Sequence, residues 1–164
     1  MSCGEGEYMV KPRVIDFRKA KVEDLPALVG MLADDPLGQE REDASLPLVD
    51  SYRKIFQEID KDPNQELIVA SLEDRVIGMM QLSFIPYLTY RGSWRCLVEG
   101  VRIHRDYRGQ HLGSQFFDWV IDRARERSCH MIQLTSDKQR PDAIRFYEKL
   151  GFKGTHEGMK MWLS

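Results

Sequence analysis

The chain has 164 residues, 42% of them hydrophobic and 30% charged, with a formal net charge of −2. That length can bury the core of one globular domain without metal or disulfide staples. The two signs of charge are interspersed, which argues against a nucleic-acid partner, and no apolar run reaches membrane-spanning length.

In chain order, residues 1–12 are polar and glycine-bearing and read as a flexible tail, with a single domain expected over 13–164. Residues 13–18 alternate as a first strand. Leu25, Leu28, Val29 and Leu32 then recur at helical spacing, and the Asp34-Asp35-Pro36 run ends that helix. Residues 36–47 read as a polar, acidic loop. Leu48, Tyr52, Ile55, Phe56 and Ile59 mark a second amphipathic helix that stops near Asp62-Pro63. Residues 66–87 give two strands around a Glu73-Asp74 turn, a hairpin. There follow a strand at about 93–104, a helix at about 110–127, a strand at 131–136, a helix at about 139–150 and one or two short closing strands. The pattern is α/β, with antiparallel hairpins leading into a strand–helix–strand crossover. Cys3, Cys96 and Cys129 are odd in number and lack paired spacing, so no disulfide framework or zinc site is expected. Three such thiols suit a reducing cytoplasm.

The stretch Arg108-Gly109-Gln110-His111-Leu112-Gly113 turns from a strand into a helix. The first turn of a helix has N–H groups without intrahelical partners and carries partial positive charge, so such a turn can cradle a phosphate. These six residues alone also fit a solvated charged loop. Farther on, Ala143, Phe146, Tyr147 and Leu150 share a helical stripe that Gly151 terminates. Together the two segments resemble the GNAT superfamily of acetyl-CoA-dependent N-acetyltransferases. Residues 108–113 lie over that family's pyrophosphate motif, and Ala143, Phe146, Tyr147, Gly151 and Phe152 match its A-x-x-F-Y-x-x-x-G-F pattern. The likeness extends from about residue 13 to 163. It departs at His111, where the family motif has a glycine, and at Arg140, where many members have an asparagine.

The resemblance implies a mixed, mostly antiparallel central sheet whose central strands, 97–103 and 131–136, splay apart. The pantetheine arm would lie between them on the main chain of Val101, Arg102 and Ile103, with the N–H near Val101 polarising the thioester carbonyl. Arg108, Gly109, Gln110, His111, Leu112, Gly113 and Ser114 would hold the pyrophosphate. The cradle is expected to survive His111 with weaker affinity and with the ring toward solvent. Tyr147 would donate a proton to the departing thiolate. Glu99, unusual in the apolar strand 97–103, would take the proton from the amine through water; it could instead pair with Arg18, Arg95 or Arg102 on the sheet face. Gly100 beside it fits a bulge. His104 and His130 read as structural, and His156 as a residue bordering the acceptor cleft. Tyr87, Tyr90 and Trp94 form an aromatic loop that would wall the acceptor site or meet a second copy. The expected reaction transfers acetyl from acetyl-CoA, with no metal, to a primary amine such as a polyamine, amino sugar, amino acid or drug-like amine. A protein lysine or N-terminal acceptor, and an acyl-CoA-binding module without turnover, stay open. A homodimer is expected by resemblance, with no nucleic-acid or membrane partner.

Overall fold

A computed structural model describes residues 14–163; the tail expected at 1–12, with Cys3, lies outside them. Strand β1 (Asp16–Lys19) leads through a 3-10 turn into helix α1 (Leu25–Leu32), which Pro26 opens in its first turn. The acidic loop contains a short helix the apolar spacing did not announce, α2 (Pro36–Gln39). Asp35 caps it by accepting from the Gly38 N–H at 2.7 Å. Helix α3 (Asp50–Lys61) follows, then strands β2 (Gln65–Leu72) and β3 (Arg75–Tyr87). The two-residue turn between them holds Glu73 and Asp74 at φ 48° and 65°, the left-handed values a tight hairpin turn requires. A single turn, α4 (Thr89–Gly92), has Tyr90 and Arg91 in left-handed geometry and opens strand β4 (Ser93–Ile103). Helix α5 (Leu112–Glu126), strand β5 (Cys129–Leu134) and helix α6 (Pro141–Lys149) complete the regular structure.

The five strands lie in the order β1-β2-β3-β4-β5, antiparallel throughout except for the parallel β4/β5 pair. Both faces of the central strands are covered. Ile68, Ala70, Met80, Leu82, Cys96 and Val98 pack against Phe116, Phe117 and Val120 of α5. Val69 and Met79 turn the other way, toward Leu25, Leu28 and Met31 of α1 and Phe56 of α3. That two-sided burial explains why β2 reads as a nearly unbroken apolar run. Glu66 stands at its head; this buried carboxylate accepts from Arg123 Nε of α5 at 3.0 Å.

The expected closing strands do not form: residues 152–163 carry no regular structure. Within the described residues Cys96 and Cys129 are free thiols, and burial pushes Cys96 up to about 12. No described helix is long and apolar enough to cross a membrane.

Candidate functional site

The site begins where β4 and β5 part. Their register runs from Trp94↔Cys129 to Val98↔Leu134 and stops there, so, among the described residues, 99–103 have β3 as their sole strand partner. The parting coincides with a bulge. Arg102 pairs with Met79 and Glu99 with Gln81, leaving Gly100 and Val101 opposite Met80 alone. Gly100 sits at φ 61° with open space where a Cβ would go, so the position asks for glycine by conformation, not by room.

From Ile103 the chain passes through a 3-10 turn (Arg105–Tyr107) and Gly109 at φ 74° to His111, the N-cap of α5. His111 is itself left-handed, at φ 60° and ψ 9°, and is exposed. The backbone thus keeps the shape a glycine adopts without strain, and histidine bears the cost. The Gln115 N–H already reaches the His111 carbonyl at 3.2 Å. The N–H groups of Leu112, Gly113 and Ser114, one turn earlier, have no intrahelical acceptor. Gly113 serves packing: a Cβ there would lie 3.0 Å from Phe146 Cζ of α6.

Tyr147 is held by aromatic edges. Its ring meets Phe117 at 5.6 Å and Phe152 at 6.0 Å between centroids, and Phe146 at 5.4 Å. Burial raises its hydroxyl above the ordinary value of 10, opposed by the charges of Arg102 and Arg140 and aided by Glu99. Arg102, Arg140 and Glu99 therefore each sit within electrostatic reach of Tyr147. Glu99 itself is exposed, and the ion pair with Arg18, Arg95 or Arg102 does not form among the described residues. Arg18 is engaged by Asp24 instead, at 2.8 Å.

Two aspartates read in the sequence only as a helix stop prove to organise this region. Asp34 meets Arg108 at 3.1 Å and Arg105 at 3.4 Å. Asp35 meets Arg140 at 2.7 Å and Arg102 at 3.6 Å. Burial works against the Asp35 carboxylate, but the Gly38 N–H and the two arginines outweigh it and hold its pKa below the usual value. Arg102 also donates to the Val101 carbonyl at 2.8 Å, and Arg108 Nε to the Ile103 carbonyl at 3.0 Å. The Nε of Arg102 is buried and has no partner among the described residues. The signal for this cluster was an Asp-Asp pair in a chain with four arginines between 95 and 108.

The other three histidines make local contacts. His104 Nδ1 accepts from the Asp106 N–H at 3.3 Å, and His130 packs on Tyr90 at 5.1 Å. His156 contacts the neighbouring Thr155 hydroxyl at 2.7 Å.

A family model described as the acetyltransferase (GNAT) family matches residues 30–152, which contain the bulge, the α5 N-terminus and the Tyr147 helix. The chain belongs to the GNAT family. Its fold is similar to that of a Bacillus halodurans C-125 protein described as a transcriptional regulator. That pair shares 57% identity and a TM-score of 0.89, over 92% of this chain and 100% of the other. The chain is also similar to the aminoalkylphosphonate N-acetyltransferase of Salmonella typhimurium, 30% identical over 58% of this chain; it spans 61% of that relative's length. A GNAT-like fold at 21% identity and TM-score 0.69 is found in a predicted acetyltransferase from Clostridium acetobutylicum solved with acetyl-CoA, over 92% of this chain and 97% of that one. The stretch 99–103, which β5 does not cover, and the left-handed turn into α5 both lie within the residues that the family model matches. Among the described residues, no group of three or more His, Cys, Asp or Glu is placed to hold a metal.

Proposed function

We propose that this GNAT protein transfers an acetyl group from acetyl-CoA to a primary amine on a small metabolite. The observation that carries the reading is the parting of β4 from β5 after Val98 and Leu134, directly upstream of the left-handed turn into α5. Main-chain groups of Val101, Arg102 and Ile103 would align the pantetheine arm as an added strand would. Arg108 with Gly109, Gln110, His111, Leu112, Gly113 and Ser114 would grip the pyrophosphate, Arg108 exchanging Asp34 for it. Acetyl-CoA supplies an activated acyl group with a thiolate leaving group.

The chain's own residues handle two protons. Glu99 accepts one from the incoming ammonium through water, since an amine of pKa about 10 cannot attack while protonated. As the new C–N bond forms and the C–S bond breaks, the Tyr147 hydroxyl gives its proton to sulfur and is restored by the proton that the nitrogen sheds on becoming an amide. The Val101 N–H stabilises charge growing on the carbonyl oxygen. Arg102 and Arg140 favour an acceptor that carries an anionic group, in keeping with the phosphonate named for the Salmonella relative.

Release of coenzyme A thiol against a panel of amines, aminoalkylphosphonates and amino sugar phosphates included, tests the reading. Tyr147→Phe should lower kcat by about a hundredfold with little change in KM for acetyl-CoA. Equal turnover in the variant removes Tyr147 from the chemistry. A second reading rests on the 57% identity to the Bacillus halodurans protein described as a regulator. Acetyl-CoA binding by calorimetry, with no thiol release across the panel, would favour that one.

A further inference from the structure

The bulge at Gly100 puts two opposite charges on one face of the sheet. Glu99 lies opposite Gln81 and Arg102 opposite Met79, and residues directly opposite in a ladder share a face. Met79 packs toward α1, so Glu99 and Arg102 both belong to the α1 side. Two steps of β3, about 7 Å, separate them along the sheet.

Arg102 is only partly satisfied by its own chain. Its Nη1 donates to the Val101 carbonyl at 2.8 Å. Its Nη2 stands 3.6 Å from Asp35 Oδ2, too far for a hydrogen bond, and its buried Nε has no partner among the described residues. Arg140, just before α6, reaches that same Oδ2 at 2.7 Å, while Asp35 Oδ1 accepts from the Gly38 N–H. A single carboxylate oxygen thus serves two guanidiniums. The side chains of Arg102, Arg140 and Asp35 are only 17%, 29% and 23% exposed, so water screens the surplus positive charge in part. Burial lowers the Arg102 pKa, and repulsion from Arg140 lowers it further. Both arginine charges are felt at the Tyr147 hydroxyl, which places the pair beside the proposed chemistry.

We propose that Asp35 stands where the acceptor's own anionic group binds, and that the acceptor is a primary amine bearing a phosphonate or phosphate dianion, which displaces Asp35 and bridges Arg102 and Arg140. That the incoming group is an amine rests on the acetyl-transfer reading; that an anion belongs here does not. Asp35 is tethered beside the arginines at a high effective concentration, so a free carboxylate, with the same chemistry, competes at a disadvantage. A phosphonate or phosphate brings a charge of about −1.5 to −2 and three acceptor oxygens, which two planar guanidinium forks can share. The amine end then falls toward Glu99 on the same face. Displacement also takes Asp35 from the Gly38 N–H, so filling the site opens the cap of α2.

The test follows the backbone and arginine side-chain N–H signals of the full chain by NMR, with and without coenzyme A. The probes are 3-aminopropylphosphonate, O-phosphoethanolamine, 4-aminobutanoate and butylamine. Both dianions should bind saturably and shift the Gly38 amide and the Arg140 Nε–H, and the tighter of them tells phosphonate from phosphate ester. 4-Aminobutanoate should bind at least about tenfold more weakly, and butylamine should leave Gly38 unmoved. Asp35→Asn keeps a capping oxygen but removes the charge, and should tighten both dianions by about tenfold. Arg140→Gln should weaken them by about tenfold or more. Gly38 and Arg140 shifts without any thiol release would count against acetyl transfer and leave this site standing. The proposal is overturned if neither dianion binds at millimolar concentration, or if both bind without moving Gly38. It is overturned equally if Asp35→Asn leaves their affinity unchanged or lowers it.

Discussion

His111 shows how a single residue can be tolerated at a geometric cost. Its φ of 60° is one that side chains avoid because Cβ crowds the following carbonyl, a penalty of about 1–2 kcal/mol. Nothing caps the helix through the imidazole, so the ring returns none of that cost locally. His111→Gly should therefore raise stability by about 1 kcal/mol, read as a higher midpoint in urea. It should not weaken acetyl-CoA binding, because the N–H groups that point into the turn belong to the backbone. Tyr147 yields a second expectation at this scale. Burial raises its hydroxyl above 10, so the folded chain keeps this proton more firmly than the unfolded one. The corresponding stability is fully present below the unfolded pKa and is lost as pH rises through the folded value. A thiolate-protonating Tyr147 thus stays loaded through neutral and mildly alkaline pH. Measured at saturation in both substrates, kcat should show no alkaline fall until pH exceeds 10.

At the scale of elements, helix α5 and helix α6 meet where Gly113 faces Phe146. The phenyl ring has little freedom, since Phe117 stands edge-on to it at 6.0 Å and Tyr147 lies at 5.4 Å. Gly113→Ala would insert a Cβ 3.0 Å from Phe146 Cζ and should cost about 1–3 kcal/mol, seen as a fall in the denaturation midpoint. The same push should lower kcat by displacing the tyrosine next to that ring. Helices α1, α3 and α6 were legible from apolar spacing, and the hairpin and the Gly100 bulge from their turn and glycine residues. The closing strands were not, because alternation announces a strand but not the edge that receives it. The contacts of Asp34 and Asp35 were equally hidden. They join residues 74 and 105 positions apart, and nothing local records which arginine an aspartate will meet.

Across the whole molecule, one ion pair ties the sheet to the helix that opens the site. Glu66 of β2 is only 2% exposed, and Arg123 of α5 reaches it with two nitrogens. Arg123→Ala would strand a carboxylate in the core and should cost about 3 kcal/mol, with the loss recorded by thermal unfolding. No sequence signal marked Glu66, because a charge at the head of an apolar run is read as a strand end until its partner, 57 positions away, is known. The family resemblance, in contrast, rested on two segments, 108–113 and 143–152, and the fold turns them into one unit. Phe146 belongs to the tyrosine pattern and Gly113 to the phosphate pattern, and each occupies space the other must leave. A descendant of this chain that enlarged residue 113 would need a smaller residue at 146 to keep its helices in place. The turn proposed to hold the nucleotide and the proposed aim of the tyrosine are therefore inherited together, as a single heritable part.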